Sequence, residues 1–156
     1  MGFVKRMLNK LAELFVLYLF FRGDAIRYLR WKGVKIGKNC SISTNPKNFG
    51  SEPWLIELGD NVTVTSGVKF ITHDGPSRLF RGESFKNSTL GSVFGNIIIK
   101  KNSFVGINSI ILPNVLIGPN SIVGTGSVVT KKVPEGKVFA GVPAREICSL
   151  EEYISN

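Results

Sequence analysis

Histidine is the scarcest functional residue in this sequence: His73 is the only one among 156 residues. A zinc centre needing three histidine ligands is therefore excluded. Cysteine is almost as rare, with Cys40 and Cys148 alone, too few for a disulfide framework. Two isolated thiols read as reduced, cytoplasmic and packed as small apolar residues. Acidic residues are also short: 11 face 20 lysines and arginines, leaving a net charge of +9. That balance suits a polyanionic partner or serves solubility. Nucleic acid is set aside, because no aromatic–basic interleaving or binding motif accompanies the charge. No apolar run reaches the ~20 residues of a membrane span; Leu14–Phe21 comes nearest. A secretory signal with a small-residue cleavage site is likewise not evident.

What is present is glycine, at 17 residues, and a hydrophobic content of 43%. The combination favours one turn-rich β domain over a helical bundle. Before it, Phe3–Phe21 carries apolar residues at helical spacing, among them Val4, Met7, Leu8, Leu11 and Phe15. This helix either packs on the protein or a sister subunit, or lies in a membrane interface beside Lys5, Arg6 and Lys10. Gly23 breaks it. Asp24 is placed to cap a second short helix through Trp31, with Gly33 as its stop.

From Ile99 onward the period is six. Ile99, Val105, Ile111, Ile117, Val123 and Val129 share one phase. Asn102, Asn108, Asn114 and Asn120 share another, followed by Gly126. Ser103, Ser109, Val115, Ser121 and Ser127 fill the next. Gly106, Gly118 and Gly124 directly follow their aliphatics. An α-helix cannot hold a six-residue period on one face. A parallel β-helix can: each hexad forms one flat side, and three sides close a triangular coil. Asparagine and glycine suit left-handed corners, and small residues suit the crowded interior. The same grammar opens earlier, at Ile36-Gly37-Lys38-Asn39-Cys40-Ser41 and Leu58-Gly59-Asp60-Asn61-Val62-Thr63.

The expected fold is thus an all-β solenoid, with an N-terminal helical segment over 1–33 and the β-helix over 34–134. Residues 43–57 interrupt the period as a loop, and 74–95 form a longer, protruding insertion of the kind that carries function. Pro134 ends the array. The remainder, 135–156, is a tail whose short helix is capped by Ser149 and Glu152 and could cover the solenoid's open end.

Three motifs carry a family resemblance: the hexad array, Phe70-Ile71-Thr72-His73-Asp74-Gly75 before the insertion, and Gly124-Thr125-Gly126-Ser127-Val128-Val129-Thr130-Lys131 running into Ala140-Gly141-Val142-Pro143-Ala144-Arg145. Together they resemble the hexapeptide-repeat, left-handed β-helix acyltransferases. The similarity is to the maltose, galactoside and xenobiotic acetyltransferase group, and within it to O-acetyltransferases of capsule and lipopolysaccharide clusters. It covers Val34 to about Ile147. It implies a homotrimer with acetyl-CoA as co-substrate in the groove between neighbouring solenoids, and no metal. It implies His73 as the catalytic histidine, and Ile107, Thr125, Thr130, Lys131 and Arg145 as contacts to coenzyme A. The N-terminus departs from the sugar acetyltransferases of free oligosaccharides, so their acceptor contacts do not carry over.

The chemistry of the residues agrees with that role. Imidazole, with a reference pKa near ~6.5, can take a proton at neutral pH and return it. The expected reaction is acetyl transfer to a sugar or glycan hydroxyl, directly and without a covalent cysteine intermediate. Asp74 adjoins the base and could orient it or the acceptor; Glu52 and Glu57 are further carboxylates for orienting the base. Lys131, Lys132 and Arg145 are placed to meet coenzyme A phosphates. Arg78 and Arg81 could meet an anionic acceptor, and Trp54 could stack on a sugar or pack in an interface. The rival expectations are an N-acetyltransferase acting on an amino nucleotide-sugar, and a non-catalytic solenoid scaffold. The expected location is cytoplasmic, with peripheral contact at the inner membrane face left open.

Overall fold

The computed structural model describes residues 23–73, 75 and 94–155, together with Ala12, Phe15 and the backbone of 84–85 and 88–89. The expected helix over Phe3–Phe21, apart from Ala12 and Phe15, lies outside the described residues, as do Asp74, Arg78 and Arg81.

Short strands stack in three parallel faces, the arrangement of a left-handed parallel β-helix. The first face holds Lys35–Ile36, Ile56–Leu58, Ile97–Ile99 and Leu116–Ile117. The second holds Ser41–Ile42, Thr63–Val64, Phe104–Val105 and Ile122–Val123. The third holds Lys69–Phe70, Ile110–Ile111 and Val128–Val129. Register follows the hexads: Ile99 pairs with Ile117, Val105 with Val123 and Ile111 with Val129. Each aliphatic therefore lands on its counterpart three repeats away, and all six are at most 1% exposed.

The corners explain the other phases. Asn39, Asn61, Asn102, Asn108, Asn114 and Asn120 all take φ between 53° and 63°, the left-handed region that asparagine tolerates better than other side chains. Between the first and second faces the amides form a ladder, Asn61 donating to Asn102 and Asn102 to Asn120, each at 3.0 Å. At Gly106 the constraint is space: a Cβ would lie 2.6 Å from the Thr125 backbone nitrogen of the next coil. The buried serines point their hydroxyls at corner carbonyls, as Ser103 does to Gly118 at 2.9 Å and Ser109 to Gly124 at 3.0 Å. The interior polar groups are thereby satisfied.

Asp24 caps the helix Ala25–Trp31 as expected, accepting from the Arg27 amide at 3.0 Å. Leu29 of that helix closes the lower end of the core. Residues 43–57 contain two 3-10 turns, Pro46–Phe49 and Pro53–Leu55, before the strand resumes at Ile56. Phe49 of the first turn stacks on Phe70 at 4.5 Å, standing in for a third-face strand in the first coil.

At the other end the solenoid carries on beyond Pro134. Val133 is fully buried and bridges Ile117, and Lys137–Gly141 then adds in parallel to the second face. The reason is that Gly124 N–H still needs an acceptor, and finds Phe139 O at 2.8 Å. Ala144–Ser149 turns back antiparallel on that strand. The capping box forms, with Ser149 N donating to Glu152 at 2.7 Å and Glu152 N to Ser149 Oγ at 3.1 Å. The helix Leu150–Ser155 nevertheless buries none of its side chains, so it does not seal the end as expected. Its Leu, Tyr and Ile are too sparse for an apolar stripe. Cys40 and Cys148 are half-buried rather than core residues. Among the described residues no helix is long and apolar enough to cross a membrane.

Candidate active site

His73 ends the third face of the second coil, where the chain leaves the solenoid for the insertion. Phe94 is where it returns. The two residues form an antiparallel bridge, and Gly95 N donates to Thr72 O at 2.8 Å. The insertion therefore has a closed neck, and its backbone includes a small antiparallel pair, Ser84–Phe85 with Ser88–Thr89. The Phe94 ring stands 5.9 Å from the imidazole, tilted by 51°, and forms one wall of the site.

Glu52 supplies the other partner. Its Oε2 accepts from His73 Nδ1 at 2.9 Å and from Thr72 Oγ1 at 2.6 Å. Burial alone would raise its carboxyl pKa. The hydrogen bonds from Thr72, His73 and Ser51, with the charge of His73, outweigh that and hold it below the ordinary carboxylate value. Glu52 is thus ionised at neutral pH. A carboxylate can only accept, so neutral His73 carries its proton on Nδ1 and leaves the Nε2 lone pair for chemistry. The imidazole is 32% exposed and Glu52 16%: the base reaches solvent while its partner is largely shielded.

The carboxylate that sequence adjacency favoured, Asp74, lies outside the described residues, and the contact made is by Glu52, the less favoured candidate. Glu57 is not near the base; it faces Lys35 and Lys100 at 3.9 Å each on the first face. Thr72 and Phe94 were not singled out from sequence. Thr72 carried one signal, a hydroxyl at a core phase immediately before the lone histidine. Phe94 carried none.

The residues expected to meet coenzyme A divide between two edges. Ile107 and Thr125 share the corner between the second and third faces, where Gly126 N donates to Ile107 O at 2.7 Å. The turn Gly141–Ala144 continues that corner, Gly141 N donating to Ser127 Oγ at 3.2 Å. Arg145 follows it, paired in register with Ala140. Thr130 and Lys131 leave the far side of the third face, towards the corner that His73 occupies two coils below. Ile107, Thr125, Thr130, Lys131 and Arg145 are all exposed. One chain therefore presents the first group and His73 on different corners. Trp54 is 60% exposed on the first-face side.

Comparison with known proteins agrees with the fold. Residues 96–131 match the family described as bacterial transferase hexapeptide (six repeats). Protein CapG of Staphylococcus aureus is 49% identical over 152 residues, covering 97% of this chain and 78% of that protein. Among solved structures, a hexapeptide-repeat containing acetyltransferase from Vibrio cholerae superposes with a TM-score of 0.57 at 24% identity, covering 76% of this chain and 63% of that one. This chain thus spans somewhat less than two thirds of the Vibrio protein. AntD, an N-acyltransferase from Bacillus cereus solved with dTDP-4-amino-4,6-dideoxyglucose and coenzyme A, gives 0.51 at 25% identity, covering 78% and 67%.

Proposed function

The chain belongs to the hexapeptide-repeat acyltransferases, with Protein CapG as a relative, and on that premise we propose that it transfers acetyl from acetyl-CoA to a sugar or polysaccharide-precursor hydroxyl, with His73 as general base. The observation that carries the reading is the Glu52–His73 pair at the neck of the insertion. With Nδ1–H held by Glu52, Nε2 removes the proton of the acceptor hydroxyl. The oxygen attacks the thioester carbonyl, backbone N–H groups stabilise the oxyanion, and the C–S bond breaks. His73 then returns its proton to the coenzyme A thiolate. Neither thiol supports a covalent relay: Cys40 Sγ donates to Gly59 O at 3.0 Å at the first corner, and Cys148 lies in the terminal strand.

The split of the coenzyme A candidates from His73 supports a homotrimer. In such an assembly the Ile107–Thr125 corner of one subunit faces the His73 corner of its partner, and acetyl-CoA lies in the groove between. Asp74 keeps its proposed place beside the base, as a group for the acceptor now that Glu52 holds Nδ1. The protein is proposed to be cytoplasmic; its Phe3–Phe21 segment either packs on the protein or a sister subunit or, through Lys5, Arg6 and Lys10, meets the membrane, and flotation with anionic vesicles separates the two.

The amino nucleotide-sugar bound in the AntD structure supports a second reading, N-acetylation of such a sugar by the same histidine. Thiol release from acetyl-CoA against a panel of hydroxyl and amino acceptors separates the two. His73→Ala should lower turnover about 10²- to 10⁴-fold while coenzyme A still binds. Unchanged turnover removes the assignment, and a wild-type protein that does not bind coenzyme A is a scaffold.

A further inference from the structure

The segment Gly50–Pro53 has two sides. One holds Glu52 against His73. The other, through Gly50 and Pro53, lines a cavity of about 220 Å³ together with Tyr28, Leu29, Lys32, Pro46 and Lys47. The two sides are in contact: a Cβ on Gly50 would lie 3.1 Å from Thr72 Oγ1, the hydroxyl that donates to Glu52. Gly50 and Glu52 are two residues apart, so at most about 7 Å of backbone separates the cavity wall from the base's partner.

The lining is amphipathic. Leu29, Pro46 and Pro53 give an apolar floor, Tyr28 an aromatic edge, and Lys32 and Lys47 two ammonium groups. The volume is below the about 300–1,000 Å³ of sites for larger ligands and matches one sugar-sized group. Positive charge is in excess here: the described residues 23–49 carry six lysines and arginines against one acidic residue, Asp24. The Lys32 ammonium has no ion-pair partner among the described residues.

We propose that this cavity is the acceptor's anion subsite, so that the protein selects an acidic saccharide, one bearing a carboxylate or phosphate. This rests on the acetyl-transfer reading for the word acceptor, but the binding itself does not. The anionic group is held by Lys32 and Lys47 through charge-assisted bonds, the ring edge lies on Tyr28 and the prolines, and the hydroxyl to be acetylated reaches across Gly50 to His73.

The sequence supplies a reporter. Its only tryptophans, Trp31 and Trp54, directly adjoin the lining residues Lys32 and Pro53. Intrinsic tryptophan fluorescence of the full chain, titrated with glucuronate, glucose 1-phosphate, inorganic phosphate and glucose, is the direct test. Glucuronate and glucose 1-phosphate should give a saturable change at concentrations at least tenfold below any glucose response. Inorganic phosphate should bind more weakly than the acidic sugars. K32Q/K47Q should weaken acidic-sugar binding at least tenfold, whereas K100Q/K101Q, which removes equal charge elsewhere, should not. His73→Ala should bind as the wild type does, even where it turns nothing over. Equal binding of glucose and glucuronate, or full binding by K32Q/K47Q, overturns the subsite. Inorganic phosphate binding as tightly as the sugars overturns the saccharide part. Acidic-sugar binding without any acetyl transfer leaves the subsite standing and refutes the transfer reading instead.

Discussion

Replacing Glu52 by glutamine keeps the shape of the side chain and removes its charge. In the wild type Oε2 accepts from both Thr72 and His73. Glutamine offers one acceptor oxygen and a donor nitrogen, so it can serve His73 Nδ1 but no longer favours an imidazolium. A hydrogen bond to a charged group contributes about 1.5–3 kcal/mol. If all of it is expressed as His73 takes the proton, kcat falls roughly 10- to 100-fold, at one decade per about 1.4 kcal/mol. His73 is a third exposed, and water competes there, so the lower end is expected. The assay is thiol release at saturating acetyl-CoA on the best acceptor. KM for acetyl-CoA should not move, because Glu52 faces the base and not the coenzyme. A double variant provides the stricter check: if Glu52 acts only through His73, E52Q costs nothing further once His73 is alanine. Full kcat in E52Q, or an equal loss from E52Q in both backgrounds, refutes the argument.

The same pair makes stability depend on acid. The folded-state pKa of Glu52 is lowered, so its contribution is complete above the ordinary value of 4.5 and is lost as pH falls through the lower folded value; the Tm gap between wild type and E52Q should therefore shrink below about pH 4.5, and a constant gap contradicts it. In the core, Ile117 is fully buried, and Ile117→Ala should cost about 2–5 kcal/mol in a denaturant titration, with a loss under 1 kcal/mol arguing against the stacking described. Two glycines should separate by mechanism: Gly126→Ala, at φ 68° in open space, costs about 1–2 kcal/mol, whereas Gly106→Ala drives a methyl into the Thr125 backbone and should lower Tm clearly more.

How far the sequence could be read depends on where repetition stops. Ile99 to Val129 is legible because each phase meets the same surroundings in every coil, so aliphatic, corner and small positions repeat as printed. The Glu52–His73 contact is different. It joins residues 21 apart, and Glu52 sits in an irregular segment whose path is set by Pro46, Gly50 and Pro53 rather than by any period. Nothing in the spacing says which carboxylate faces inward, and adjacency pointed to Asp74. The final coil was obscured for a related reason. Pro134 breaks the hexad, but the hydrogen bonds left open along the second face still recruit Lys137–Gly141, a demand set by the neighbouring strand.

The closed neck at His73 and Phe94 has an evolutionary reading. Because the coil is already joined across the neck, lengthening the chain between those residues costs only loop entropy, about 0.6 kcal/mol per doubling. Substitutions, insertions or wholesale exchange in 74–93 therefore leave the register of the stacked strands unchanged. The closed neck thus separates two kinds of sequence constraint: the stack is held by strand register, and the length between His73 and Phe94 is not.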